Sequence, residues 1–400
     1  MLKYRLAVLT SHPVQYQTPL FRKLANHPGI DLSVYFCWDF GVKESIDPEF
    51  GKKLKWDIPL LEGYRYTFLR NVSPRPSSQF WGQINPGIIR ELRQHHCDSI
   101  LIFGWNSLTN WLAFFTAFLS GIPVLLRGEN PLHQELLKPT WKTSIKKIYL
   151  GWLFRHVDAF LYLGEENKRF YEHYGVPQEK LFFVPYAVDN KRFMLAHKEL
   201  RSKKYALRKE ERINKDAVVI LFVGKLIEKK HPFDLLKAYE LLITRYQLPV
   251  ANVALLFVGD GVLHPALERY VREHNIPNVR FVGFKNQTEL PRYYALADVL
   301  VLPSGKGETW GLVVNEAMCF ELPVIVSDVV GSGPDLIRND ENGYIFPLGN
   351  IEKLSMYLKE LITSASKRKN FGKRSLGVIR GYSYEKDAEG ILEALGSLKK

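Results

Sequence analysis

Cysteine is scarce and scattered in this chain. Cys37, Cys97 and Cys319 are odd in number, and none stands in a Cys-x-x-Cys pair; no disulfide framework is implied, and a reducing cytoplasm is the expected compartment. No Gly-x4-Gly-Lys-Ser/Thr occurs, which excludes a P-loop, and Gly259-Asp-Gly261 and Gly331-Ser-Gly333 both lack the third glycine of the dinucleotide fingerprint. No Asp-x-Asp pair occurs either. His95-His96-Cys97 lacks a second group at ligand spacing and reads as a surface patch at a helix end, so no metal and no other cofactor is expected. Long apolar runs are missing too. The longest, Leu108 to Leu126, contains Asn110 and is broken by Gly121-Ile-Pro123, so it reads as a core helix and a strand rather than a membrane span. The first ten residues have too short an apolar core for a signal peptide and read as a strand. No repeat of solenoid period is visible.

What is present suits two ordinary domains: 400 residues, 46% hydrophobic and 24% charged. The formal net charge of +13 favours anionic partners, whether nucleotide phosphates, an anionic membrane surface or nucleic acid. Charge alone does not choose among them.

The most informative stretch runs from Ala297 to Phe320. Val299 to Leu302 reads as a buried parallel strand ending at Pro303. Ser304 to Trp310 is a polar, glycine-bearing loop at its carboxyl end. From Gly311 the spacing of Leu312, Val313, Glu316, Ala317 and Phe320 suits a helix packed on a sheet, and Pro323 to Val326 reads as the next strand. Such a unit aims unpaired helix N–H groups at the crevice above the sheet, where a phosphate gains from the dipole. Glu308 in the loop and Glu316 in the helix could accept hydrogen bonds from sugar hydroxyls. The bland alternative is that Glu308 complements the helix dipole and Glu316 is solvated.

A second loop carries cations. Ala217 to Val223 reads as a buried strand, followed by Gly224-Lys225 and, five residues on, Lys230, with a helix beginning near Pro232. That arrangement suits neutralisation of a pyrophosphate; an ordinary basic loop is the alternative. After the strand Asn278 to Val282 come Gly283-Phe284-Lys285. Asn342 to Phe346 reads as the last strand and Tyr382 to Leu398 as a terminal helix.

In the first half, Tyr4 to Leu9, Asp31 to Cys37, Tyr66 to Leu69, Ser99 to Phe103 and Pro123 to Arg127 read as strands, with Ser107 to Leu119 a helix. His12, Gln15, Tyr16 and Gln17 follow the first strand, where a doubly wound domain places ligand contacts; for His12, packing against the turn is the alternative. The irregular stretches Trp38 to Leu61 and Asn71 to Gln83 would shape an acceptor pocket. Arg127-Gly-Glu129-Asn130 falls at a strand end, with His133 nearby. Lys138 to His156 is basic and aromatic without an acid, and can lie on an anionic leaflet or serve as a core helix with a solvated face. His197 to Lys215, dense in Lys, Arg and Glu, reads as a linker or exposed helix.

The Glu-x7-Glu pattern of Glu308 and Glu316, with Gly311 and the following Leu322-Pro-Val-Ile-Val-Ser327, resembles the retaining glycosyltransferases of the family-4 type. The resemblance covers most of the chain from Val184 onward. It implies an α/β chain of the GT-B fold, two Rossmann-like doubly wound domains facing across a cleft. The expected boundaries are 1–195 for an acceptor-side domain, 196–378 for a nucleotide-sugar domain and 379–400 for a helix crossing back to the first. By the same resemblance, Glu308 contacts the transferred sugar and Glu316 the nucleotide ribose, while Lys225 and Lys230 hold the donor diphosphate. Lys225 stands in an arginine position and loses the bidentate fork. Backbone N–H groups of Gly311, Leu312 and Val313 add to the donor site, Phe284 and Lys285 lie near the base, and His12, Gln15 and Glu129 are acceptor-side candidates. This chain departs from the pattern in several places. It has no glycine-rich loop after the first strand, His231 stands for a glycine, Tyr186-Ala187 for Asn-Gly, and Glu129 where a histidine is common. The missing Asp-x-Asp argues against the metal-bridged site of the other main glycosyltransferase fold.

The expected function is transfer of a hexosyl or related sugar from a nucleoside-diphosphate sugar to an acceptor hydroxyl with retention, in cell-surface polysaccharide or glycolipid synthesis. The partners are the donor and a glycan, glycolipid or small-molecule acceptor, with peripheral contact to the anionic inner face of the membrane and no nucleic acid. The rival readings are a nucleotide-sugar epimerase of similar shape and a nonenzymatic binder of anionic surfaces.

Overall fold

Two sets of buried parallel strands organise the chain. The computed structural model describes residues 3–42, 45–47 and 52–398. It divides into one unit of Met1–Ser45, Leu54–Tyr186 and Tyr384–Lys400 and a second of Ile46–Lys53 and Ala187–Ser383.

The first unit is built on seven strands. They are β1 (Tyr4–Thr10), β2 (Ile30–Phe36), β5 (Arg65–Phe68), β6 (Ser99–Phe103), β7 (Val124–Arg127), β8 (Ala159–Tyr162) and β9 (Leu181–Phe183). They lie in the order β5-β2-β1-β6-β7-β8-β9 and pair in parallel. Two short strands, β3 (Ser45–Asp47) and β4 (Lys52–Leu54), form a separate ribbon. Parallel strands covered on both faces need unbroken apolar sequence; Leu6–Leu9, Ile100–Ile102 and Val124–Leu126 supply it and are buried. The chain winds from β1 outward to β5 and returns to β6 on the other side. The order therefore reverses between β1 and β6, and the loops after those two strands flank a topological switch point. Trp105 packs in the core beneath them, stacked 6.0 Å from Phe170. The terminal helix Tyr384–Ser397 packs in this unit on β8 and β9. Gly390 permits the approach, since a Cβ there would stand 2.1 Å from the Phe183 carbonyl oxygen.

The second unit has six parallel strands: β10 (Val218–Val223), β11 (Val253–Val258), β12 (Val279–Phe281), β13 (Val299–Leu302), β14 (Val324–Ser327) and β15 (Gly343–Phe346). Their order is β12-β11-β10-β13-β14-β15. All six residues of β10 and of β11 are buried. The switch point here lies between β10 and β13. The doubly wound α/β architecture read from the sequence is what folds in both units.

Two local readings change. The charged stretch His197 to Lys215 is not a linker: helices Asn190–Leu200 and Lys204–Glu210 run through it, and Arg208 is 4% exposed. Its guanidinium reaches Asp298 and the carbonyl oxygens of Leu296 and Lys215. Asp298 also accepts from the Val219 N–H and the Lys204 ammonium. Lys204 and Arg208 are held against the sheet because each finds an acceptor at the amino ends of β10 and β13, while Lys198, Arg201, Lys203 and Lys209 stay exposed, as the exposed-helix alternative had it. Residues 187–195 group with the second unit, where the Phe193 ring meets Tyr294 and Phe320. Among the described residues no helix is long and apolar enough to cross a membrane; Leu108 to Leu126 is helix Leu108–Leu119 followed by β7.

Candidate active site

At the second unit's switch point two oppositely charged side chains meet. The loop after β10 carries Lys225 and Lys230, and the loop after β13 carries Glu308. Lys230 Nζ donates to Glu308 Oε2 across the gap. Glu308 is 7% exposed. Burial pushes its carboxyl up, but Lys230, Lys229 and the Ser304 hydroxyl outweigh that and hold it below the usual carboxylate range. Lys229 and Ser304 were not singled out from the sequence; both are sequence neighbours of residues that were. Lys225 sits on the same loop, two residues beyond β10.

Backbone contacts tie three loops together. The Gly305 N–H donates to the Lys229 carbonyl at 2.7 Å, the Gly331 N–H to the Glu308 carbonyl at 3.2 Å, and the Ser332 N–H to the Trp310 carbonyl at 3.1 Å. The Ser327 hydroxyl donates to the Ser304 carbonyl. Gly331 is needed for this lacing, because a Cβ there would lie 1.8 Å from the Thr309 carbonyl oxygen. His231 occupies the position read as a departure from glycine, and its backbone nonetheless adopts the left-handed conformation, φ 48. Glycine would enter that region without strain. The His231 ring lies over Gly305 with Nδ1 3.0 Å from Asp234 Oδ2, so the side chain is held by its neighbours on both sides.

Glu316 takes a different place from Glu308. The helix expected from Gly311 runs from Val313 to Cys319, because Gly311 itself has φ 90. Glu316 is fully buried in it and accepts a hydrogen bond from the Tyr294 hydroxyl at 2.6 Å. It is therefore not the solvated residue of the bland alternative. The N–H groups of Gly311, Leu312 and Val313 precede or open this helix, where intrahelical acceptors run out. Phe284 and Lys285 follow β12, the edge strand two places from β10. Lys285 pairs with Glu289 at 3.5 Å and lies 5.8 Å from the Tyr293 ring centre. The structure thus brings Lys230 and Glu308 into contact.

In the first unit, His12 and Gln15 follow β1. The His12 ring packs edge-on to Phe40 at 5.4 Å and Trp38 at 6.5 Å, with Nδ1 2.9 Å from the Ser11 hydroxyl. Burial lowers its pKa to about 4, so the imidazole is neutral at pH 7. Glu129 follows β7. Burial raises its pKa, opposed by a hydrogen bond from Tyr186 and the charge of Arg127. Arg127, 3% exposed, is bound to Asp387 at 2.8 Å. Sequence reasoning missed this network, since Asp387 lies 260 residues away on the terminal helix. His133 is taken by Glu166, with its backbone N–H and ring nitrogen at 2.8 and 2.9 Å from the carboxylate. Also missed was a cavity of about 610 Å³ lined by Ser78, Gln79, Phe80, Trp105, Asn106, Trp111 and Tyr149. Trp105 and Asn106 follow β6, one of the two switch-point strands; the signal was the loop after a buried strand. The part of the Trp38 to Leu61 stretch at positions 43–44 and 48–51 lies outside the described residues. His95 and His96 follow helix Gly87–Gln94, and among the described residues no group of three or more His, Cys, Asp or Glu could hold a metal ion.

Known proteins resemble this chain in sequence over its second half and in fold throughout. The family model described as glycosyl transferases group 1 matches residues 203–377. Spore coat protein SA of Bacillus subtilis is 30% identical over 183 residues, which cover 44% of this chain and 47% of that protein. The chain spans about half the length, or less, of the curated relatives it matches first. Among solved structures, Anabaena HepE in complex with UDP and glucose superposes with a TM-score of 0.71 at 17% identity, over 98% of this chain and 99% of that one. A glycosyltransferase from Rickettsia africae does so with a TM-score of 0.75 at 15% identity, over 100% and 99%. Residues 203–377 thus match the glycosyl transferases group 1 model, and the two parallel-sheet units have the GT-B fold of these structures.

Proposed function

We propose that the protein is a glycosyltransferase that moves a sugar from a nucleoside-diphosphate sugar to an acceptor hydroxyl, with retention of configuration as in the family-4 type. The observation that carries this reading is the Lys230–Glu308 pair at the β10/β13 switch point, set in loops pinned to one another. A diphosphate arriving there would compete for the Lys230 ammonium and release the Glu308 carboxylate to a sugar hydroxyl. Lys225 and Lys230 would then stabilise charge growing on the leaving diphosphate, the main electrostatic demand of the reaction. The Gly311–Val313 N–H groups would add to that. Glu316, held by Tyr294, would face the ribose, with Phe284 and Lys285 towards the base. His12, Gln15 and Glu129 would serve the acceptor. No metal is assigned a role. Support for the donor class comes from HepE, which holds UDP and glucose. Cell-surface polysaccharide or glycolipid synthesis in the cytoplasm is the setting we infer, in line with a spore coat protein and a capsular polysaccharide glycosyltransferase among the relatives.

The test is incubation with a panel of nucleotide sugars and glycan or glycolipid acceptors, reading released nucleotide diphosphate and the anomeric configuration of the product by NMR. Transfer with retention, abolished in a folded Glu308→Ala variant, is the expected result. Isomerised donor without transfer would point to an epimerase, and wild-type turnover in Glu308→Ala would overturn the site.

A further inference from the structure

Helix Thr140–Arg155 is apolar on two opposite faces. Leu150, Leu153 and Phe154 are buried in the first unit's core. At about 100° per residue, Trp141, Ile145, Ile148, Tyr149 and Trp152 form a stripe on the far side of the helix. That stripe meets solvent: Ile148 is 77% exposed, Trp141 63% and Ile145 56%. The neighbouring helix Leu108–Leu119 extends it with Phe115, Phe118 and Leu119, all exposed. Trp152 joins the two helices, with ring centres 6.4 Å from Trp111 and 5.6 Å from Phe115, and Phe118 meets His156 at 4.8 Å. These side chains form one continuous surface rather than scattered apolar residues.

The charge on this surface has one sign. Helix Leu108–Leu119 has no charged residue, and Thr140–Arg155 has cations and no acid. Lys146 turns inward to Glu135 at 2.7 Å. Lys142, Lys147 and Arg155 are exposed; Lys142 and Arg155 border the apolar stripe on its two sides, and Lys147 lies further round the helix. Two tryptophans and branched aliphatics rimmed by cations suit the boundary between phosphate headgroups and acyl chains. A nucleic acid would leave Ile148 and Leu119 without a partner. A second copy docked face to face would bring one cationic rim against another.

We propose that this face docks on an anionic lipid bilayer, with Trp141, Ile148 and Trp152 entering the acyl boundary and Lys142 and Arg155 meeting lipid phosphates. The docking does not depend on the transferase reading, and its test needs no turnover. The full-length chain is floated with phosphatidylcholine vesicles and with vesicles containing about 30% phosphatidylglycerol. Binding to the anionic vesicles, weaker on the neutral ones and at high salt, is expected. Ile148→Glu and the double change Lys142→Glu, Arg155→Glu should each lower it about tenfold or more, with unchanged thermal unfolding because these side chains face solvent. Absence of binding to anionic vesicles, or binding that Ile148→Glu leaves intact, would overturn the proposal. So would a dimer in size exclusion that Ile148→Glu abolishes without any vesicle binding, which would make the face an interface between copies.

Discussion

Lys230 and Glu308, 78 residues apart in the chain, form an ion pair that bridges the loops after the two central strands of the second sheet. The pair is mostly shielded from water, with side-chain exposures of 17% and 9%. Lys230→Met would leave the Glu308 carboxylate buried without its main partner, a change that costs about 3–5 kcal/mol for buried pairs. Urea unfolding should show that variant to be clearly less stable than wild type, and less stable than Lys230→Met combined with Glu308→Gln. An additive double variant would mean that the two side chains are not coupled.

The same carboxylate gives a pH signature. Its folded pKa lies below the unfolded value, because the cations favour the charged form. Its contribution to stability is therefore complete above about pH 4.3, the ordinary glutamate value, and is lost as pH falls through the folded pKa. Unfolding free energies of wild type and Glu308→Gln should differ by a constant amount near neutral pH and converge in acid.

His12 should titrate far from an ordinary histidine. With its pKa lowered to about 4 by burial, it stays neutral through the range where exposed histidines gain a proton. The folded state prefers the neutral ring, so this group's contribution is present above about pH 6.5 and is lost as pH falls towards 4. NMR of the imidazole should show no transition between pH 8 and 5.5, and His12→Gln should flatten that part of the stability profile. A midpoint near 6.5 would mean that the ring is open to solvent.

Gly331→Ala tests the lacing of the loops. The added methyl would sit 1.8 Å from the Thr309 carbonyl oxygen, so the turn at 331–332 or the 308–310 loop must move. Donor-induced thermal stabilisation should fall about tenfold or more in apparent affinity. A wild-type response would show that the two loops need not touch.

Tyr294→Phe removes the hydroxyl that Glu316 accepts at 2.6 Å in a fully buried position. Leaving a buried acceptor short of its donor costs about 1–3 kcal/mol, which thermal unfolding would register. Glu316→Gln, which retains a carbonyl acceptor for the same phenol, should cost less.

The sequence by itself determined the elements and their chemistry. Unbroken apolar runs such as Val218–Val223 and Val299–Leu302 read as strands covered on both faces, and the loops that follow them carried Lys225, Lys230 and Glu308 in plain view. Gly311 and the helix after it were legible from periodicity, to within two residues. Tertiary structure alone decided who meets whom. Strand order is not a local property, so placing β13 beside β10 is what joins Lys230 to Glu308. Arg208 looked like surface because its neighbours are charged; Asp298, 90 residues on, supplies the acceptor that keeps it inside. Periodicity likewise showed that Thr140–Arg155 is a helix with cations and aromatics. Packing of Leu150, Leu153 and Phe154 chose which apolar face the core would cover and left Trp141 and Ile148 in water, because a helix of that width can bury one side against one sheet.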